Sequence, residues 1–164
     1  MIIRAIVLSA SFLTPAGLAA QELNVDASIV RACFDAASEW HVNSECIGDA
    51  ANLCQEAPQG STTLGIATCI SAETQVWDGI LNAEYQARQA EFAAYEPIGS
   101  GATAEELTTG LRDAQRAWMA FRDADCNLRY TLFQDGSIRT IVATSCHLTK
   151  TAQRAIELRD IGGL

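Results

Sequence analysis

The chain is poor in the groups that carry out acid, base or nucleophilic chemistry. It has two histidines, His41 and His147, no Cys-x-x-Cys pair and no Gly-x-Ser-x-Gly elbow. Without such an elbow there is no activated serine to expect, and a cysteine nucleophile is excluded if the cysteines are oxidised. His41 falls in an expected interhelical turn and His147 beside a cysteine expected to be bridged, so both read as solvated side chains. The stretch Pro97 to Leu107, PIGSGATAEEL, looks like a phosphate loop but lacks the lysine and following Ser/Thr that grip phosphate and magnesium. The many carboxylates read as a solvated acidic face and not as a glycosidase pair. The chain is therefore expected to be no enzyme and to need no cofactor. Beyond residue 20 no segment has the roughly 20 consecutive apolar residues that a membrane helix requires.

The N-terminus, MIIRAIVLSASFLTPAGLAA, has an early cation at Arg4, a short apolar run and small residues up to Ala20, the pattern of a secretory signal peptide. Cleavage after Ala20 is expected, which leaves Gln21 to Leu164 as one periplasmic or secreted domain with no membrane anchor. Losing Arg4 takes the net charge from −9 to −10, and such a chain repels nucleic-acid backbones. Between Gln21 and Glu56 seven carboxylates face the single cation Arg31. A cationic protein is the partner this region would attract. Asp35, Glu39, Glu45 and Asp49, with Glu96 and Glu105 of the loop near Pro97, are the candidate contacts.

Six cysteines in an exported chain predict three disulfides, because thiols oxidise outside the cytoplasm. A zinc site built from Cys33, His41, Cys46 and Cys54 matches no common zinc spacing, so no metal is expected.

Alternating apolar runs are few, while alanine, glutamate, glutamine and arginine are abundant, so the class is all-α. An antiparallel bundle of about five helices, two of them long, is predicted. The first helix runs from an Asp26 cap to Trp40 and the second from about Glu45 to Glu56, stopped by Pro58-Gln59-Gly60. A long helix spans Thr63 to Tyr95, with Trp77, Leu81 and Tyr85 on one stripe. Thr103 and Glu106 form a capping box that opens the next. In it Leu111, Ala114, Trp118, Phe121, Asp125, Leu128 and Leu132 recur at steps of three and four, the seam of two helices packed side by side. Asp113 is expected to pair with Arg116, and Asp125 with Arg129 and, semi-buried, with Arg122. The last helix starts at Ser137 after the Asp135-Gly136 turn, faces Ile141, Leu148, Ala152 and Ile156 or Ala155 inward, and ends near Ile161.

Hairpin symmetry then pairs the cysteines. Cys126 and Cys146 stand ten residues either side of Gly136. A turn at Asn43 and Ser44 puts Cys33 opposite Cys54 and leaves Cys46 for Cys69. The alternative of Cys33 with Cys46 and Cys54 with Cys69 stays open, since sequence does not fix connectivity.

The residues Cys69...Trp77-x-x-x-Leu81-Asn82-x-x-Tyr85, Gln115-Arg116-x-Trp118-x-x-Phe121-Arg122-Asp123-x-x-Cys126, Gly136-Ser137...Cys146 and Thr151-x-x-Arg154-x-x-x-Leu158 together resemble the LprI-like lysozyme-inhibitor family. The resemblance covers about Cys69 to Arg159 and leaves residues 21–62 as an acidic, cysteine-rich extension. It implies a small exported bacterial helical domain and, from the member that names the family, a protein that binds and inhibits lysozyme. An envelope interaction or stress-protection module with another protein target is the alternative. The motif residues themselves, rich in tryptophan, leucine and cysteine at helical spacing, read as scaffold.

Overall fold

The computed structural model describes residues 23–37, 44–99 and 101–161. The expected signal peptide, Glu39, Trp40 and His41 lie outside the described residues. Five helices and no strand are present among those described: α1 Ala27–Ala36, α2 Asp49–Cys54, α3 Thr63–Ala93, α4 Ala104–Leu132 and α5 Arg139–Asp160. The all-α prediction holds.

Three starts follow from side-chain caps. Asp26 accepts from Ser28 N at 2.8 Å, Thr62 from Gly65 N at 2.9 Å, and Thr103 with Glu106 makes the expected capping box. Two starts differ from expectation. Helix α2 begins at Asp49 and not Glu45, because Gly48 takes φ 106°, a left-handed conformation that closes a preceding turn. Helix α5 begins at Arg139 behind Ile138, with no side-chain cap, so Ser137 belongs to the turn. At its other end α1 stops at Ala36, where Ala37 is extended. The Arg159 guanidinium donates to the carbonyls of Phe34 and Ala37 and so satisfies the end of that helix.

Helix α3 packs on each of the other four helices, most extensively on α5, which also packs on α4. Ala152, Ala155, Ile156 and Leu158 of α5 are fully buried, and the alanines let it lie close to α3. Trp77 and Leu81 of α3, Leu111 of α4 and Val30 of α1 complete the core. Between α2 and α3 the chain folds back tightly: a Cβ on Gly65 would lie 2.0 Å from the Gln59 carbonyl oxygen.

The disulfides are Cys33–Cys46, Cys54–Cys69 and Cys126–Cys146. The third is the pair that hairpin symmetry selects. The first two replace the preferred Cys33–Cys54 and Cys46–Cys69 pairing. That pairing assumed two helices meeting at Asn43 and Ser44. In fact α1 and α2 are both shorter, so Cys46 sits in a turn beside the end of α1 and Cys54 is the last residue of α2.

The α4 seam also differs. Leu111 is buried and Trp118 half-buried, but Ala114, Phe121, Leu128 and Leu132 are exposed. The helix instead faces its neighbours with Leu111, Gln115 and Cys126. Cys126 must point at α5 to reach Cys146, and at 100° per residue it lies roughly 140° around the helix from Phe121. The ion pairs shift with it. Asp113 meets Arg112, and Arg122 meets Asp123 at 2.9 Å. Asp125 is held by Arg129 at 3.1 Å, as expected, but by Lys150 of α5 at 3.3 Å in place of Arg122.

Candidate protein-binding site

The motif residues separate into structural and surface sets. Trp77 is fully buried, donates its indole N–H to Glu73 at 3.1 Å and meets the edge of Phe34 at 6.1 Å. Leu81 and Thr151 are buried, and Gln115, 6% exposed, accepts from Arg154 Nε at 3.0 Å. Trp118 has two guanidinium groups near its ring, Arg122 at 5.0 Å and Arg154 at 6.0 Å from the centroid. Arg154 also pairs with Glu157. Tyr85 accepts from Gln89 at 2.8 Å, and Asn82, on the surface, donates to Asp78. Arg116, Asp123, Gly136 and Ser137 are exposed. The motif thus builds the α3–α4–α5 framework and leaves a charged rim.

Glu73, which sequence reasoning passed over, completes that framework. It is 1% exposed, and its carboxylate accepts from Gly48 N at 2.8 Å and Ala51 N at 2.7 Å as well as from Trp77. A single α3 side chain thereby caps α2 with negative charge at its N-terminus. Its spacing of four from Trp77 was legible; that its partners lie more than twenty residues upstream was not.

A cavity of about 490 Å³ opens between α1 and α3. Phe34, Val76 and Ile80 are among its apolar walls, Asp35 and Glu84 contribute two carboxylates and Arg31 one guanidinium. Gly79 is part of its lining, and a Cβ placed there would meet nothing within 4 Å. Arg159 stacks on the Phe34 ring at 4.6 Å and fixes this wall. Its guanidinium is held above its ordinary pKa by hydrogen bonding to Asp160, with Asp160, Glu84 and Asp35 adding attraction. Of the predicted contact residues that are described, Asp35 alone lines this cavity. Glu45 is exposed in the turn before α2 and Asp49 at the first residue of α2, and Glu96 and Glu105 are exposed on the α3–α4 connection and the first turn of α4. That connection begins roughly 14 Å along the helix from Glu84, at 1.5 Å per residue. Glu84 was missed because nothing in the local pattern sets it apart from other surface carboxylates.

A smaller cavity, about 340 Å³, is lined by Ser71, Thr74, Gln75 and Asp78 of α3, Arg122 of α4, and Thr144, His147 and Thr151 of α5. Burial, and then the nearby Arg122 charge, hold the His147 imidazole below its ordinary pKa. The Thr151 hydroxyl is buried without a hydrogen-bond partner. Among the described residues Asp125, Cys126 and Cys146 lie close enough to share a metal ion, but both sulfurs are spent in the disulfide and offer no thiolate. No helix among the described residues is long and apolar enough to cross a membrane.

A family model described as lysozyme inhibitor LprI matches residues 54–158. An uncharacterized protein of Rhizobium meliloti (strain 1021) is 25% identical over 126 residues, which is 71% of this chain and 87% of the relative. No solved structure matches significantly.

Proposed function

The chain belongs to the LprI lysozyme inhibitor family, and from that premise we propose that it is an exported protein-binding domain that binds and inhibits lysozyme through the α1–α3 groove. The observation that carries the location is the pairing of Asp35 and Glu84 with the apolar wall of Phe34, Val76 and Ile80. This combination suits the side chain of a lysine or arginine, whose aliphatic stem packs on apolar surface while its charge meets carboxylate.

Long-range charge supports the same partner. Between residues 21 and 111 the only cations are Arg31 and Arg88, against carboxylates throughout. Such a field accelerates encounter with a cationic enzyme more than it sets final affinity. The three disulfides suit an oxidising, extracytoplasmic compartment.

The test is inhibition of a cationic lysozyme by the chain from Gln21 onward. Gly79→Phe fills the groove, and Asp35→Lys with Glu84→Lys reverses its charge. Inhibition is expected at low salt, weakening as salt is raised, with each variant losing about tenfold or more in affinity. Full lysozyme activity at low salt would remove the function. Inhibition untouched by the groove variants would move the site elsewhere on the molecule.

A further inference from the structure

The exposed side of α4 carries an apolar stripe on which no other helix of the chain packs. Gly110, Ala114, Ala117, Phe121, Leu128 and Leu132 are all exposed. At 100° per residue they lie within roughly 40° of Phe121 around the helix and form a stripe about 33 Å long that is apolar except for Asp125, which lies at roughly 40° as well and is neutralised by Arg129 and Lys150. This accounts for most of the seam seen in the sequence, which has the spacing of helix-on-helix packing but no helix of its own chain upon it. Its residues are graded in size, small in the N-terminal half and large in the C-terminal half.

We propose that this stripe pairs two copies of the chain, α4 against α4 in antiparallel orientation, about a twofold axis near Phe121. Counting outward from that axis sets Leu128 of one copy opposite Ala114 of the other, Leu132 opposite Gly110 and Asp125 opposite Ala117, so each leucine meets a small residue while the two Phe121 rings meet each other. Parallel pairing would set Leu128 against Leu128 and leave the Gly110–Ala114 half empty. A surface that complements itself under a twofold is what an isologous dimer requires. Gly110 has open space around its missing Cβ, which lets a partner's leucine approach the backbone.

Two further observations favour a second copy. Lys150 lies over Phe121 at 4.4 Å and holds one face of the central ring, so little side-chain freedom is lost on pairing. Asp125 within the stripe and Asp113 at its border each stay clear of their own symmetry mate. At 1.5 Å per residue Asp125 is roughly 12 Å and Asp113 roughly 24 Å from its mate, beyond the Debye length of about 8 Å at physiological salt. Asp125 is in addition paired to Arg129 and Lys150. A single helix face gives a contact near the lower limit for stable interfaces, so dissociation on the order of 10 µM is expected.

The experiment is sedimentation velocity on the chain from Gln21 onward over about 1 to 200 µM. A monomer–dimer equilibrium is expected. Leu128→Glu and Ala114→Lys should each weaken it about tenfold or more; both sites are exposed, and melting curves check that the variants fold. An equimolar mixture of the two should associate again, because the new lysine of one copy faces the new glutamate of the other. Added salt should tighten the dimer, since two copies of like net charge repel; lysozyme binding has the opposite salt dependence, so the two proposals fail separately. A chain monomeric over the whole range, a dimer indifferent to Leu128→Glu, or a mixture that stays apart overturns the proposal.

Discussion

Glu73 accepts the indole N–H of Trp77 one helical turn away at 3.1 Å, with both side chains buried. The same carboxylate holds the backbone N–H groups of Gly48 and Ala51, so the core tryptophan and the N-terminus of α2 share one acceptor. Glu73→Ala strands three donors at once, two of them buried and the Gly48 N–H partly so. Each costs on the order of 1 to 3 kcal/mol, and a loss of roughly 3 kcal/mol or more is expected in urea unfolding. Glu73→Gln should recover less than half of that, because its amide N–H₂ faces donors. A loss under about 1 kcal/mol for the alanine variant would mean that α2 does not depend on Glu73.

Thr151 should respond in the opposite direction. Its hydroxyl is buried and unpartnered, so Thr151→Val removes a desolvated polar group at nearly constant shape. The expected gain is about 1 kcal/mol, read as a rise in Tm of roughly 3 to 5 °C. A fall in Tm would show that the hydroxyl has a partner in solution.

His147 gives the fold a mild acid sensitivity. Its folded pKa is depressed by burial and by Arg122, against the opposing pull of Asp123. The unfolded chain therefore takes up a proton more readily. The contribution is intact above the ordinary histidine pKa near 6.5 and is lost as pH falls from there toward the folded value. His147→Gln should flatten the Tm-versus-pH profile between about pH 7 and pH 5, the window in which histidine alone among ordinary side chains titrates. An unchanged slope would place His147 in free solvent.

The Cys126–Cys146 bridge closes a separation of 20 residues. Replacing both cysteines with serine should cost roughly 3 kcal/mol in urea unfolding under non-reducing conditions. Because Cys126 sets the rotation of α4, the double variant should also make the amides of α4 exchange faster than those of α3. Equal protection in the two helices would mean that packing alone fixes α4.

Much of the fold was legible because helix signals are local. The Asp26 and Thr103 caps, the breakers after Glu56 and Tyr95, and the inward set Leu148, Ala152 and Ile156 each depend on residues within a turn or two. The same locality misled at α1 and α2. Glycine at position 48 and the reach of Arg159 back to Phe34 and Ala37 shortened both helices, and the cysteine pairing followed. The candidate groove was barely legible. Asp35 and Glu84 are 49 positions apart, and only the crossing of α1 over α3 makes them neighbours.

Amino-acid order alone determined the all-α class, the five helices, the family motif and the bridge across the α4–α5 turn, since these follow from periodicity, capping and symmetric distance from a turn. Tertiary structure decided which face of α4 turns inward, which cysteines of the N-terminal region meet, and which carboxylates share a surface. Those outcomes depend on how one helix is rotated and placed against another, and that rotation is set by contacts such as Cys126 with Cys146 and Arg154 with Gln115 that join residues far apart along the chain.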